Sequence, residues 1–410
     1  MSVEKNPLPS ATGSEPAHWG AVNALAICSF VLVAAEFMPV SLLTPMAADL
    51  QLTEGQAGQS VSICSLAALF SSLSIRTLAG TLDRRTVLLC LTALLISSGP
   101  LVAFAPNFTV LMLGRVLLGL SLGGFWSLSA ATAMRLVPAG SVAKALAVIS
   151  GGTALAGTVA APLGSVLGEL IGWRGAFFCL IPVAVVACAL QFRFLPQLPA
   201  VQRSTAVGVS GLLRRPAVAV GYFGAMLFFA GQFSLYTYLR PYLEQVTQAG
   251  VNLVSFSLLM VGIAGFVGTL TVSKLIGPRL HWTLTCLSLV MALMVAGLLL
   301  FGEGQLPVLL LLAVWGWCGT AAQVTWWAWV TRAAADDAEA GGGLLVAVAQ
   351  VGIASGATLG GLAYDSFGPL AIPVGSSLTL VLAALVALSS GWLKQPGGIN
   401  AAKACLSDKT

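Results

Sequence analysis

Apolar residues run along this chain in long unbroken stretches separated by short polar segments. The stretches lie near 20–45, 57–78, 86–105, 108–132, 142–169, 173–194, 217–242, 252–274, 280–301, 306–331, 343–365 and 369–393. A membrane-crossing helix needs roughly 20 apolar residues, and each stretch supplies about that many. Strands of a membrane barrel would instead alternate over about ten residues. The pattern therefore predicts an all-α polytopic membrane protein of twelve transmembrane helices. The longest polar interruption, 195–216, holds Pro196, Pro199, Gln202, Arg203, Arg214 and Arg215 and divides six stretches from six. The expected organisation is a tail (1–19), a six-helix half (20–194), a linker (195–216), a second six-helix half (217–393) and a tail (394–410). Residues 1–19 are polar and Pro-bearing and the first stretch is too long for a signal peptide, so it is expected to remain as the first span.

Composition narrows the class. Hydrophobic residues make up 58% and charged residues 8%, with mean hydropathy +0.95. Soluble domains are usually about a quarter charged, and disorder needs low hydrophobicity, so both are excluded. The 45 glycines suit close helix approach in a bilayer. The net charge of +5 reports topology rather than nucleic-acid binding. With residues 1–19 placed in the cytoplasm, the cytoplasmic segments and adjoining helix ends hold Lys5, Arg76, Arg84, Arg85, Arg135, Lys144, Arg193, Arg203, Arg214, Arg215, Lys274, Arg279, Arg332, Lys394, Lys403 and Lys409. Arg174 and Arg240 fall outside, and Arg115 lies within a helix. This excess predicts both termini inside.

Several chemistries lack their residues. No phosphate loop and no H-E-x-x-H motif occurs, and the two histidines, His18 and His281, sit near the expected cytoplasmic surface. Neither enzyme activity nor a metal or cofactor is expected, and any transport would draw on an ion gradient. The cysteines fall mostly within the stretches, so no disulfide is expected. Asn107-Phe108-Thr109 matches a glycosylation sequon.

Charge deep in a span is costly, at least ~2.5 kcal/mol on insertion scales, and marks function. Among the acids only Glu36 lies well inside a stretch; among the bases only Arg115 is comparable. Both are roughly 10–15 Å deep from the outer side at about 1.5 Å per residue. A carboxyl balanced between burial, which favours its neutral form, and a nearby guanidinium, which favours its charged form, can bind a proton in one conformation and release it in another. Glu36 is thus a candidate proton carrier, with a static ion pair as the plainer alternative. Arg115 is either its partner or a donor to backbone carbonyls. The fifth stretch carries Gly157, Pro162, Gly164 and Gly168: small residues for packing, and a proline that favours a bend. Amide and aromatic residues cluster as Phe125 and Trp126 in the fourth stretch, and as Phe229, Gln232, Phe233, Tyr236 and Arg240 on one face of the seventh. Gln323, Trp326, Trp327 and Trp329 fall in the tenth and Gln350 in the eleventh. Phe125, Trp126, Gln232, Phe233, Tyr236, Gln323, Trp326 and Gln350 are candidates for a cavity binding a planar, polar, uncharged ligand such as a nucleobase; packing or interfacial anchoring is the plainer alternative.

Two six-helix halves with a basic linker resemble the major facilitator superfamily. Asp83-Arg84-Arg85 resembles its loop signature between helices 2 and 3, though Ala79 and Thr86 stand where that motif has glycines. Arg115 with Gly119, Gly123 and Gly124 resembles its helix 4 motif. Ala161-Pro162-Leu163-Gly164 and Gly172-Trp173-Arg174 resemble the helix 5 antiporter motif and the turn after it. These imply the drug:proton antiporter branch, with Asp83, Arg84, Arg85, Gly157, Pro162 and Gly164 in gating or structural roles. Glu36-Phe37-Met38-Pro39-Val40, Gly123-Gly124-Phe125-Trp126 and Gly231-Gln232-Phe233 look like the bacterial exporters of purine ribonucleosides. That resemblance implies efflux of neutral nucleosides (inosine, guanosine) across the inner membrane in exchange for protons, by a monomer. Sugars of the arabinose class, or drugs, are the alternative cargo, and a non-transporting receptor the alternative class.

Overall fold

The computed structural model describes residues 17–80, 82–199, 208–277, 280–335 and 337–392. The expected tails, apart from residues 17–19, and the middle of the linker lie outside these residues, as do Lys5, Arg203, Arg279, Lys394, Lys403 and Lys409. The described chain is helical: α1 (Trp19–Leu50), α2 (Glu54–Ala79), α3 (Arg84–Ala103), α4 (Phe108–Leu136), α5 (Val142–Phe178), α6 (Leu180–Phe194), α7 (Gly208–Leu213), α8 (Pro216–Thr237), α9 (Leu239–Gln245), α10 (Val251–Thr271), α11 (Leu280–Phe301), α12 (Gln305–Ala333), α13 (Ala338–Phe367) and α14 (Ala371–Trp392). The side holding residue 17 and the linker is called the linker side below, and the opposite side the far side.

Local chemistry sets the helix ends. Thr53 and Gln56 form a capping box on α2, the Thr53 hydroxyl accepting from the Gln56 amide and the Gln56 side chain from the Thr53 amide. Asp83, Asn107 and Asp337 cap α3, α4 and α13. Asn107, read as part of a sequon, is therefore a helix cap. Pro216 opens α8, where its missing N–H costs nothing.

Among the described residues, eleven apolar helical segments are long enough to cross a membrane, and one of them, Ala139–Phe194, spans 56 residues. At about 1.5 Å per residue this would be ~84 Å, far beyond one ~30 Å hydrocarbon layer. Gly172 turns it back at φ 74° and ψ 162°, a conformation open to glycine and strained for other residues. The segment is thus two crossings, and the total is twelve. Pro162, where a bend was expected, lies within this helical run.

The seventh stretch differs too. Its helix breaks at Tyr238, giving α8 and the short α9. Pro241 has no N–H for the Thr237 carbonyl, so the α-helical ladder cannot run through. Arg240 therefore does not share a continuous face with Phe229, Gln232, Phe233 and Tyr236. It lies beyond the break, and it is buried rather than looped into solvent.

Each half has its own apolar interior. One joins α1 to α6 through residues such as Leu25, Leu32, Leu91, Leu122 and Phe125. The other joins α8 to α14 and takes in Val40, Leu43, Ala47, Ala57, Val61 and Ala161 from the first half. Those six come from the far-side portions of α1, α2 and α5. Between the halves, α2 packs on α13 and α5 on α10, while α1 meets α8 and α9. The halves are thus joined on the far side and through the membrane centre.

Candidate functional site

Arg115 is fully buried in α4. Its Nε donates to the Ser60 carbonyl (2.8 Å), its Nη1 to the Ala35 carbonyl (2.7 Å) and its Nη2 to the backbone carbonyl of Glu36 (3.3 Å). The guanidinium donates to backbone, one of the two expected roles, and it also acts on the Glu36 carboxyl through its charge. One acceptor has a specific origin: Pro39 lacks an N–H, so the Ala35 carbonyl four residues earlier has no helical donor. Arg115 fills that vacancy and ties α1, α2 and α4 together. Behind it, α4 lies against α2 so closely that a Cβ on Gly119 or Gly123 would strike the backbone of Cys64 or Ala68.

Glu36 is 7% exposed. Its carboxyl is in the electrostatic field of Arg115 and is approached from the other half by the Gln350 amide of α13. Gln350 is itself buried, and its Oε1 has no hydrogen-bond partner.

The next residue, Phe37, leads into the second half. Its ring packs against Phe233 at 6.0 Å and edge-on to Tyr236 at 5.7 Å. Tyr236 stacks on Trp315 of α12 at 6.2 Å and 28°, and the Trp315 Nε1 is buried without a partner. Gln323 of α12 donates to the Gln232 side-chain carbonyl at 3.2 Å. The structure thus pairs Glu36 with Gln350, groups Phe233 and Tyr236 with Phe37 and Trp315, and pairs Gln232 with Gln323; the sequence did not single out Phe37 and Trp315. Adjacency to Glu36 was an available signal for Phe37. Trp315 stands eight residues before Gln323, about two turns, and so near the same helix face.

Other candidates are placed elsewhere. Phe125 is buried in the first half's interior, edge-on to the partly buried Trp126. Trp126 also borders the α1–α5 contact near Phe37. Trp326 is buried in the second half, edge-on to Trp329. Gly164 faces Ser41 and Met38 of α1, whereas Gly157 has open space where a Cβ would stand, so close packing explains only the first. Asp83 caps α3 through the Arg85 amide (2.7 Å) and accepts from the Leu198 amide (2.9 Å). Arg84 bonds the Leu198 carbonyl through its backbone, and Arg85 bonds the Phe192 carbonyl. The two bonds to Leu198 hold the start of the linker against the first half.

On the far side the two halves meet through charge, which the sequence reading did not anticipate. Asp365 of α13 accepts from the Thr53 hydroxyl (2.7 Å) and the Gly55 amide (3.0 Å) at the N-terminus of α2. Glu244 of α9 accepts from the Thr44 hydroxyl of α1 (2.6 Å) and pairs with Arg240 (2.7 Å), which in turn donates to the Ser41 carbonyl. Nearer the centre, Thr358 bonds Gln59 and Ser62.

The Major Facilitator Superfamily profile matches residues 25–342. The chain is 51% identical over 397 residues to the "Transcription regulatory protein OpdE" of Pseudomonas aeruginosa, covering 96% of this chain and 98% of that protein. It is 41% identical over 384 residues to the "Purine ribonucleoside efflux pump NepI" of Salmonella paratyphi B, covering 92% and 97%. Among solved structures, a bacterial homologue of the human lysosomal transporter Spinster aligns with a TM-score of 0.72 at 15% identity, over 93% of this chain and 97% of that one. The human organic anion transporter MFSD10 aligns with a TM-score of 0.69 at 16% identity, over 91% and 100%. With its profile, its twelve crossings and its two six-helix halves in agreement, the chain belongs to the major facilitator superfamily.

Proposed function

We propose that the chain exports purine ribonucleosides across the bacterial inner membrane in exchange for protons. The linker side is taken as cytoplasmic, as the distribution of Lys and Arg favours. The observation that carries the reading is the placement of Glu36. It is buried against Gln350 of the opposite half and is followed directly by Phe37, which packs on Phe233 and Tyr236. Proton carrier and aromatic–amide site are thus neighbours on both sides of the seam that must open and close. A purine can stack on an aromatic face and exchange hydrogen bonds with amides. The free Gln350 Oε1 and Trp315 Nε1 supply one acceptor and one donor. The 41% identity to a pump named for purine ribonucleosides supports the same cargo.

Alternating access follows from the two halves rocking about a midplane site. Exchange of a neutral nucleoside for one proton moves one net charge inward, and the membrane potential adds about 2.3 kcal/mol per 100 mV to any pH gradient. Arg115 fixes the backbone on which Glu36 stands, and Glu36 holds or releases the proton as the opposite half approaches or withdraws.

The test is labelled inosine uptake into proteoliposomes with an acidic interior, competed by guanosine, arabinose and a cationic dye. Gradient-dependent uptake competed only by guanosine is expected, falling in Glu36→Gln to the level of empty liposomes. Competition by arabinose or dye would transfer the cargo to the sugar or drug class. A second reading, a membrane sensor, draws on the 51% identical relative, which is named as a transcription regulatory protein. It predicts inosine binding without flux.

A further inference from the structure

Helix α1 contains two prolines, Pro39 and Pro45. Each leaves the carbonyl four residues earlier without its helical donor, Ala35 for the first and Ser41 for the second. Both orphaned carbonyls are buried, and both are taken by arginines. Arg115 of α4 serves Ala35 from within the same half, at 2.7 Å. Arg240 of α9 serves Ser41 from the opposite half.

Arg240 is held in aim. The α8 break at Tyr238 lets α9 point back toward α1. Its Nε is paired with Glu244 at 2.7 Å, and the other Glu244 oxygen accepts from Thr44 of α1 at 2.6 Å. Arg240 is 7% exposed and Ser41 wholly buried, so water does not compete while the halves are together. Between the two clasped carbonyls lies Glu36-Phe37-Met38-Pro39-Val40. The segment bearing the acid is therefore tied at one end to its own half and at the other to the opposite half.

We propose that Arg240 is a positioning residue for Glu36. Its grip on the Ser41 carbonyl sets the course of α1 between Pro39 and Pro45. Separation of the halves on the far side withdraws the guanidinium and leaves that carbonyl to water, and α1 is then free to re-bend about Pro39. Arg115 keeps its hold on the Ala35 and Glu36 carbonyls, so the re-bending changes how the Glu36 carboxyl meets the Gln350 amide of α13, while Arg115 of α4 and Cys64 of α2 go on facing it. Opening of the far side and the change in proton binding are one event. The coupling half of this inference rests on the proposed role of Glu36; the clasp itself does not.

Two measurements on the full-length protein separate these halves. The first is hydrogen–deuterium exchange of peptides covering 36–50, in wild type, Arg240→Gln, Arg240→Lys and Pro45→Ala. Arg240→Gln is expected to raise exchange across residues 41–50 about tenfold, roughly the effect of losing one buried clasp. Arg240→Lys is expected to fall between, because an ammonium cannot hold Glu244 and Ser41 in one planar fork. In Pro45→Ala the restored N–H bonds Ser41 within the helix, so adding Arg240→Gln to it is expected to change exchange little. Unchanged exchange in Arg240→Gln would overturn the clasp. If that variant loosens the whole chain, Arg240→Lys carries the test, and its matching wild type overturns the clasp.

The second measurement is inosine flux against pH. Arg240→Gln and Pro45→Ala are expected to keep inosine exchange at equal pH on both sides but lose most gradient-driven uptake. A wild-type pH profile in Arg240→Gln, with exchange raised, would leave Arg240 a gate and overturn its positioning role. Absence of gradient-driven flux in wild type would defeat the proton-exchange reading, while the exchange experiment would still decide the clasp.

Discussion

Arg115 and Glu36 are adjacent in space, yet the guanidinium spends its three hydrogen bonds on backbone oxygens. A carboxylate locked in a bidentate ion pair would be held in its charged form. A carboxyl that feels the charge without being bound by it can change state, which is what a carrier requires. The sequence singled out both residues because charge is rare at that depth. It could not show that Pro39 had already assigned Arg115 another acceptor, since the vacancy and its occupant are 80 residues apart. Tyr236 gives a sharper test of the substrate site. It joins Phe37 and Phe233 to Trp315. Tyr236→Leu keeps apolar bulk and removes the aromatic face. Stacking of a base on an aromatic ring is worth about 1–3 kcal/mol, so KM for inosine is expected to rise at least fivefold with kcat nearly kept. An unchanged KM would place the base elsewhere.

The helices themselves were largely legible, because a bilayer fixes their length and admits no unpaired backbone. The departures have backbone causes. The seventh stretch reads as one helix by hydropathy, but Pro241 withholds a donor from Thr237 and splits it. The fifth and sixth stretches form nearly continuous helix, and only the positive φ of Gly172 separates them. Gly172→Ala places a Cβ in a conformation costing about 1–3 kcal/mol. No neighbour lies within 4 Å of that Cβ, so crowding adds nothing. The expected result is a lower melting temperature in detergent with transport per folded molecule retained. A melting temperature equal to wild type would mean that the turn relaxes into another shape. Pro162, expected to bend α5, lies inside the helix with no non-helical φ/ψ at its position.

The two-half architecture was legible from a single polar interruption, but the state of the molecule was not, since no periodicity reports which ends touch. The far-side bonds do report it: Asp365 to Thr53 and Gly55, Glu244 to Thr44, and Arg240 to Ser41. Asp365→Ala removes two of these bonds and a negative charge at the N-terminus of α2, where the helix dipole favours one. A net loss near 1 kcal/mol shifts a two-state balance about fivefold. Spin labels at the exposed, linker-side positions Leu82 and Leu275, in a background with other exposed cysteines replaced, are expected to show a larger fraction of short distances. An unaltered distance distribution would mean that Asp365 does not help to hold the far side shut.

The Thr53 cap has a consequence for how easily that side parts. The same hydroxyl that donates to Asp365 also accepts from the Gln56 amide within its own helix, and the Gln56 side chain accepts from the Thr53 amide. When the halves separate, α2 keeps its internal fastening and does not fray. The Gly55 amide is uncovered to water, and the Asp365 carboxylate, exposed already, stays solvated. The joint behaves like a door with a latch on each leaf: undoing it damages neither side, and so the protein can cycle between closed and open forms on a small difference in free energy.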